Sequence, residues 1–208
     1  MPEKEIILIG GGGHCRSCID VIESSDIFKI AGIVEQPGTD KSKSILGYPV
    51  IGDDDQLNDL KKKYDYALIT IGQIGSSALR QKIFNHLKKI GFVLPVIISP
   101  FAHVSKHAAI DEGSIVMHRV VVNAEVRVGR NCILNTGCLV EHDTEIGDHS
   151  HIATAAVLNG EVVVGSGSFV GSNATIVQGV KLPAQYFFKA GSLIVSDQNG
   201  KLIKDNCL

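Results

Sequence analysis

From residue 104 to residue 182, every sixth position is Val, Ile or Leu: Val104, Ile110, Val116, Val122, Val128, Leu134, Val140, Ile146, Ile152, Leu158, Val164, Val170, Ile176 and Leu182. A period of six fits neither the 3.6-residue repeat of an α-helix nor the two-residue repeat of a strand. It fits a parallel β-helix of hexapeptides, in which each short strand is one flat side of a triangular coil. The recurrent aliphatic side chain points into the prism and stacks on its counterparts above and below. The next position is often Gly or Asn (Asn123, Gly129, Asn135, Gly147, Asn159, Gly165, Gly171). It is expected to open a corner, where these residues tolerate positive φ. Such a coil cannot bury its core alone, so neighbours must stack and the ends must be capped.

The first hundred residues follow another grammar. Lys4 to Ile9 is a continuous apolar run that ends in Gly10-Gly11-Gly12-Gly13, which predicts a buried strand entering a tight turn. His14 to Ser24 carries apolar residues at helical spacing, Ile30 to Val34 is a second strand, and Tyr66 to Ile71 is a third that ends at Gly72. Ser76 to Ile90 is a second amphipathic helix, with Leu79, Ile83, Phe84 and Leu87 on one face and basic residues on the other. Gln36 to Lys43 reads as a mobile surface loop. The expected organisation is a small parallel α/β domain, Rossmann-like, over residues 1–98, then a β-helix over residues 99–208.

Composition narrows the function. Lys and Arg number 20 against 22 Asp and Glu, so nothing favours nucleic acid or an anionic membrane surface as partner. No run approaches the length of a membrane span and no charged-then-apolar leader opens the chain. Five cysteines (Cys15, Cys18, Cys132, Cys138, Cys207) are read as reduced thiols, which predicts a cytoplasmic protein. Cys15 and Cys18 have no second C-x-x-C pair to complete a zinc site and are read as two small residues on one helix face.

Three local motifs go beyond the repeat: ILIGGGGH (Ile7 to His14), ITIG (Ile69 to Gly72) and NTGCLVEHDTEIGDHSHI (Asn135 to Ile152). With them the chain resembles, from Ile6 to about Val195, the hexapeptide-repeat sugar acetyltransferases. These include UDP-4-amino-sugar N-acetyltransferases of bacillosamine synthesis and sialic acid O-acetyltransferases. The resemblance implies a left-handed β-helix, a homotrimer, and acetyl-CoA held in a cleft between neighbouring coils. It assigns Gly12, Gly13, His14, Glu35, Gln36 and Gly72 to the sugar nucleotide, and Asn135, His151, Gly160, Ser172 and Ala190 to acetyl-CoA. Relatives often carry two acids where this chain has Glu35-Gln36, and they commonly end in a G-x-P-A-like segment that this chain lacks. Lys189 is open to two readings, a CoA phosphate contact or an exposed lysine.

Acetyl transfer from a thioester needs an acceptor that loses a proton, a stabilised oxyanion, and both substrates held together. Histidine is the natural base, because its ordinary pKa lies near the working pH. Glu141-His142-Asp143 follows the inward-facing Val140, at a corner where side chains project outward. A neighbouring carboxylate fixes the imidazole tautomer and raises its basicity. The resemblance makes His142 the general base and Asp143 its support. It also gives His151 a place near the thioester, donating a hydrogen bond to the carbonyl oxygen, and leaves His149 as an exposed loop residue.

The chemistry calls for no metal, and no H-E-x-x-H is present. No G-x-S-x-G or Cys–His signature marks an acyl-enzyme, so attack is direct, in a ternary complex. The turn after the first strand reads G-G-G-G-H-C, with Cys15 where a dinucleotide fingerprint has its third glycine, which disfavours a dehydrogenase. Within the family, the acceptor is either the 4-amino group of a UDP-linked amino-dideoxy sugar for surface glycans or a hydroxyl of a sialic-acid-like sugar. A reading of another class is a non-catalytic β-helix that binds a sugar nucleotide.

Overall fold

The computed structural model describes residues 4–40, 42, 44–196 and 202–205. Its N-terminal sheet is formed by β1 (Lys4–Ile9), β2 (Phe28–Glu35), β3 (Ser44–Ile45), β4 (Tyr48–Asp53) and β5 (Tyr66–Ile69), in the order β3-β4-β2-β1-β5. All neighbours are parallel except the β3–β4 hairpin. The helices are α1 (Gly13–Ser25), α2 (Leu57–Lys61) and α3 (Ala78–Ile90). The hairpin and α2 occupy residues in which no regular pattern is read from the sequence. Of the loop expected over Gln36 to Lys43, Lys41 and Lys43 lie outside the described residues, as does Cys207.

The second part is a left-handed parallel β-helix, in which the strand ladders form three faces. Face one stacks Ile97–Ile98, Ile115–Val116, Ile133–Leu134, His151–Ile152, Phe169–Val170 and Phe187–Phe188. Face two runs from His103–Val104 through Leu139–Val140 and Val157–Leu158 to Leu193–Ser196, where Leu202–Asp205 adds an antiparallel strand. Face three runs from Ala109–Ile110 through Glu145–Ile146 to Lys181–Leu182. Ile115, Ile133 and His151 pair in register, which makes each coil 18 residues. The periodic aliphatics from Val116 to Leu182 are all buried, as the repeat predicts.

The corners differ from expectation in one informative way. Positive φ does not fall on the residue after the aliphatic but three after it, at Gly113, Arg119, Glu125, Asn131, Gly137, Asp143, His149, Ala155, Glu161 and onward at the same spacing to Gly191. The glycines directly after the aliphatic answer another need. A Cβ at Gly165 would lie 2.4 Å from the Ala184 nitrogen, and one at Gly171 would lie 2.3 Å from the Ala190 nitrogen. They are small because the next coil passes too close, not because φ is positive.

The α/β domain covers face one. Ile115, Ile133, His151 and Phe169 form its outward column and are buried, while Phe187 above them is half exposed and stacks on Phe169 at 5.3 Å. Asp20 of α1 accepts from His118 at 2.8 Å, and the other ring nitrogen of His118 meets Ser99 Oγ at 2.6 Å. On the far side, Phe84 of α3 meets the ring of His149 edge-on at 5.3 Å, and His149 Nδ1 accepts from Asn131 Nδ2 at 3.0 Å. His149 is therefore a half-buried docking residue and not an exposed loop side chain. The expected faces of α3 also change. Phe84 and Leu87 are buried, Leu79 is 47% exposed, and Arg80, expected on the polar face, is only 1% exposed.

Candidate active site

Parallel strands that stop along one edge leave a crevice at their carboxyl ends. Here β1 and β5 run out into Gly10 and Thr70, β2 ends at Glu35, and the prism closes the far side. The result is a cavity of about 1300 Å³. All six residues assigned to the sugar nucleotide line it, together with Asn135 and His151 from the prism. Gly10 takes φ +96° to turn the chain. Gly11 is confined, since a Cβ there would meet Glu35 Oε1 at 2.3 Å, whereas Gly12 and Gly13 face open space. Gly12 caps α1 without a side-chain hydrogen bond, so the first amides of the helix are left for an anionic group in the cavity.

Sequence reasoning misses Asp54, Asp55, Lys82, His86 and Gln73, all of which line the same cavity. Asp54 and Asp55 follow β4, so locating that strand supplies the signal for them. Lys82 and His86 lie on the α3 face that the pattern treats as solvent. Burial, and then Asp55 and Asp53, push the Asp54 carboxyl above its ordinary range.

His151 is 6% exposed and engaged at both nitrogens. Nδ1–H donates to the Gln73 carbonyl at 2.6 Å, and Nε2 meets Asn135 Nδ2 at 3.1 Å. A carbonyl only accepts, so the proton sits on Nδ1. The amide orientation agrees, because Asn135 Oδ1 accepts the Thr136 N–H at 2.8 Å. His151 therefore presents a lone pair at Nε2, and the expected donation to a thioester carbonyl needs a second ring proton. Burial opposes that proton and holds the ring down to about 4. His14 is held down to about 3, first by burial, then by the Arg80 charge and His151. Its Nε2 has no hydrogen-bond partner among the described residues.

These two rings carry a pH prediction. The unfolded chain protonates both below its ordinary value of 6.5, while the folded chain does so only near 4 and 3. Folding stability is thus fully present above pH 6.5 and drains away as pH falls through that window. Folding free energy should fall from pH 7 to pH 4.5 by an amount on the order of a few kcal/mol, and the melting temperature should drop with it. A His14→Asn variant should show a shallower slope in the same melting series; an equal slope would refute the assignment.

His142, Asp143 and Gly160 lie elsewhere, at the corner between faces two and three. Asp143 holds one of the left-handed corners at φ +59°, a conformation that aspartate tolerates. There its Oδ2 accepts the His142 Nδ1–H at 2.8 Å. That hydrogen bond raises the His142 pKa, and Nε2 is left unprotonated on a ring about half exposed. Gly160 forms the floor: a Cβ would come within 2.7 Å of ring atoms Cε1 and Nε2. Gly160→Ala is expected to displace the imidazole and lower turnover about tenfold with the fold intact, as read by kinetics beside circular dichroism. Ser172 and Ala190 stack on adjacent coils at the corner between faces one and two, Ala190 exposed, and Lys189 is exposed beside it. The structure thus joins Asn135 and His151 to the residues expected to hold the sugar nucleotide, and leaves His142, Asp143 and Gly160 across face two.

Cys15, Cys18, Cys132 and Cys138 are free and buried, with burial raising every thiol pKa. Among the described residues, no group of three or more His, Cys, Asp or Glu is placed to hold a metal ion, and no helix is long and apolar enough to cross a membrane.

Residues 5–87 match the family described as the PglD N-terminal domain. No curated protein matches the chain significantly. Among solved structures, a histidine-to-asparagine variant of perosamine N-acetyltransferase from Caulobacter crescentus, in complex with CoA and GDP-perosamine, is 34% identical. It superposes with a TM-score of 0.86 over 93% of this chain and 89% of that one. The acetyltransferase domain of PglB from Neisseria gonorrhoeae FA1090 is 30% identical, with a TM-score of 0.83 over 95% of each chain. Its complex with acetyl coenzyme A is 28% identical, with a TM-score of 0.79 over 92% of this chain and 96% of that one.

Proposed function

Since the chain belongs to the hexapeptide-repeat sugar acetyltransferases, we propose that it moves the acetyl group of acetyl-CoA to an amino group of a nucleotide-linked sugar. The observation that carries this reading is the His142–Asp143 pair, whose hydrogen bond leaves Nε2 free as a proton acceptor on an accessible ring. The amine nitrogen attacks the thioester carbonyl carbon, the C–S bond breaks and CoA leaves as thiolate. The proton lost by the nitrogen passes to His142 Nε2 and from there to the sulfur, while Asp143 stabilises the imidazolium between these transfers.

The sugar nucleotide lies in the 1300 Å³ cavity, its diphosphate on the amides at the start of α1. His142 of the same chain stands apart from that cavity, and the trimer resolves the separation. The outward column of face two is mostly apolar and half-buried (Val121, Leu139, Val157 and Leu193, with Thr175 and the exposed His103), whereas that of face three carries the exposed charges Arg127, Glu145 and Lys181 beside Ala109 and Val163. Three copies packed through face two set the His142 corner of one beside the cavity of the next. Acetyl-CoA then runs along the shared groove, against Ser172 and Ala190 of one copy and Gly160 of another.

The acceptor is the 4-amino group of a UDP-linked amino-dideoxy sugar; a GDP-linked amino sugar is the second reading, favoured by the 34% identical relative bound to GDP-perosamine. Thiol release from acetyl-CoA against UDP- and GDP-linked amino sugars and sialic acids tests both. Release with one amino sugar and an N-acetyl product supports the proposal. Release with a sialic acid alone, or with none, overturns it.

A further inference from the structure

Arg80 is 1% exposed and pairs with no carboxylate among the described residues. Its guanidinium is shared between the two domains. Nη1 donates to the carbonyls of Ile69 at 3.2 Å and Ile71 at 2.6 Å, at the end of β5. Nη2 donates to the carbonyl of Asn131 at 3.1 Å and to its Oδ1 at 2.6 Å, at a left-handed corner of the prism. Burying a cation without an anion is unfavourable, and burial draws this one down to about 10. An apolar side chain would join α3 to the prism without that penalty, so the charge needs another explanation.

The gripped carbonyls lead directly into Gly72 and Gln73. Gln73 is 3% exposed; its carbonyl receives the His151 Nδ1–H and its Nε2 donates to the Ser168 carbonyl at 3.3 Å. His151 Nε2 then receives Asn135 Nδ2, whose partner oxygen is already fixed on Thr136. A continuous line of hydrogen bonds and short peptide runs thus joins Arg80 to the cavity wall, and the direction of each donor in it is determined.

We propose that Arg80 is a positioning residue: by gripping the Ile69 and Ile71 carbonyls it sets the Gln73 carbonyl, which fixes His151 as its Nδ1–H tautomer and so orients the Asn135 amide in the cavity. Only the kinetic consequence rests on the acetyl-transfer reading; the tautomer does not. The same charge stands beside His14 and His151, where it reinforces the effect of burial in keeping both rings neutral.

The test uses the full chain, with ¹⁵N-labelled histidine spectra at neutral pH and thiol-release kinetics in parallel. In the unaltered protein His151 should show a single Nδ1–H tautomer. Arg80→Met should give a tautomer mixture and an acetyl-CoA KM raised about tenfold, with kcat changed far less. Arg80→Lys keeps a donor for the Ile71 carbonyl and should restore the single tautomer. Asn131→Ala loosens the prism end alone and should lower the melting temperature without mixing tautomers. The proposal is overturned by an unchanged tautomer in Arg80→Met, or by equal mixing in Asn131→Ala, which would reduce Arg80 to a fastener between domains. Should Arg80→Met fail to fold, a tautomer mixture in Arg80→Lys overturns it and a single tautomer supports it. A protein that releases no thiol even unaltered, yet shows these tautomers, refutes the acetyl-transfer reading and leaves the positioning role standing.

Discussion

Replacing His142 by alanine is expected to lower acetyl transfer by about 10²- to 10⁴-fold, the usual worth of a positioned base, without unfolding the chain. The ring is about half exposed and its one side-chain hydrogen bond among the described residues is to the adjacent Asp143, so its removal opens no cavity and strands no buried group. The melting temperature should therefore hold while kcat falls. Asp143→Asn should retain the corner conformation but weaken the hold on Nδ1, giving a smaller loss in the same direction. Equal turnover by His142→Ala and the unaltered protein would remove the base from the mechanism and restore the non-catalytic binding reading.

The second large effect is on stability. Leu134 is wholly buried, stacked in the prism between Val116 below and Ile152 above in strict register. Leu134→Ala should cost about 2–5 kcal/mol, because hydrogen-bonded ladders on all three faces keep the coil from collapsing into the void. That is a large share of the total for a domain of this kind. Denaturant unfolding monitored by circular dichroism should show the midpoint moving without a change in slope. A loss below about 0.5 kcal/mol would mean that the periodic positions are not the core.

Much of this architecture is legible in the chain because a hexapeptide repeat states its own geometry: one aliphatic per strand, repeated past any coincidence. The Gly-rich turn after β1 is equally plain, and the six residues that the family resemblance assigns to the sugar nucleotide line one cavity. What escapes the sequence depends on distant partners. Arg80 looks like any basic residue of an amphipathic helix, since nothing local announces that carbonyls from Ile69, Ile71 and Asn131 will gather round it. His149 looks exposed until α3 brings Phe84 to it. The corner glycines mislead for a subtler reason. Glycine serves both positive φ and close approach, and only the stacked backbone tells which is at work at Gly165 and Gly171.

The uniform coil has a consequence for how such a site can change. Each turn consumes 18 residues and advances by one strand spacing, about 4.8 Å. The α/β domain is fastened at Asn131 and His149, and His142 lies between them in the chain. Six residues inserted between Asn131 and His142 would carry His142 round to the next corner; eighteen would return it to the same corner one step higher. The prism is a ruler graduated in whole turns, and the reach from cavity to His142 cannot be adjusted along it by fractions. If His142 is the proposed base, fitting a larger or smaller acceptor falls to the irregular ends of β1, β2, β4 and β5, where single residues can be added without moving His142 at all.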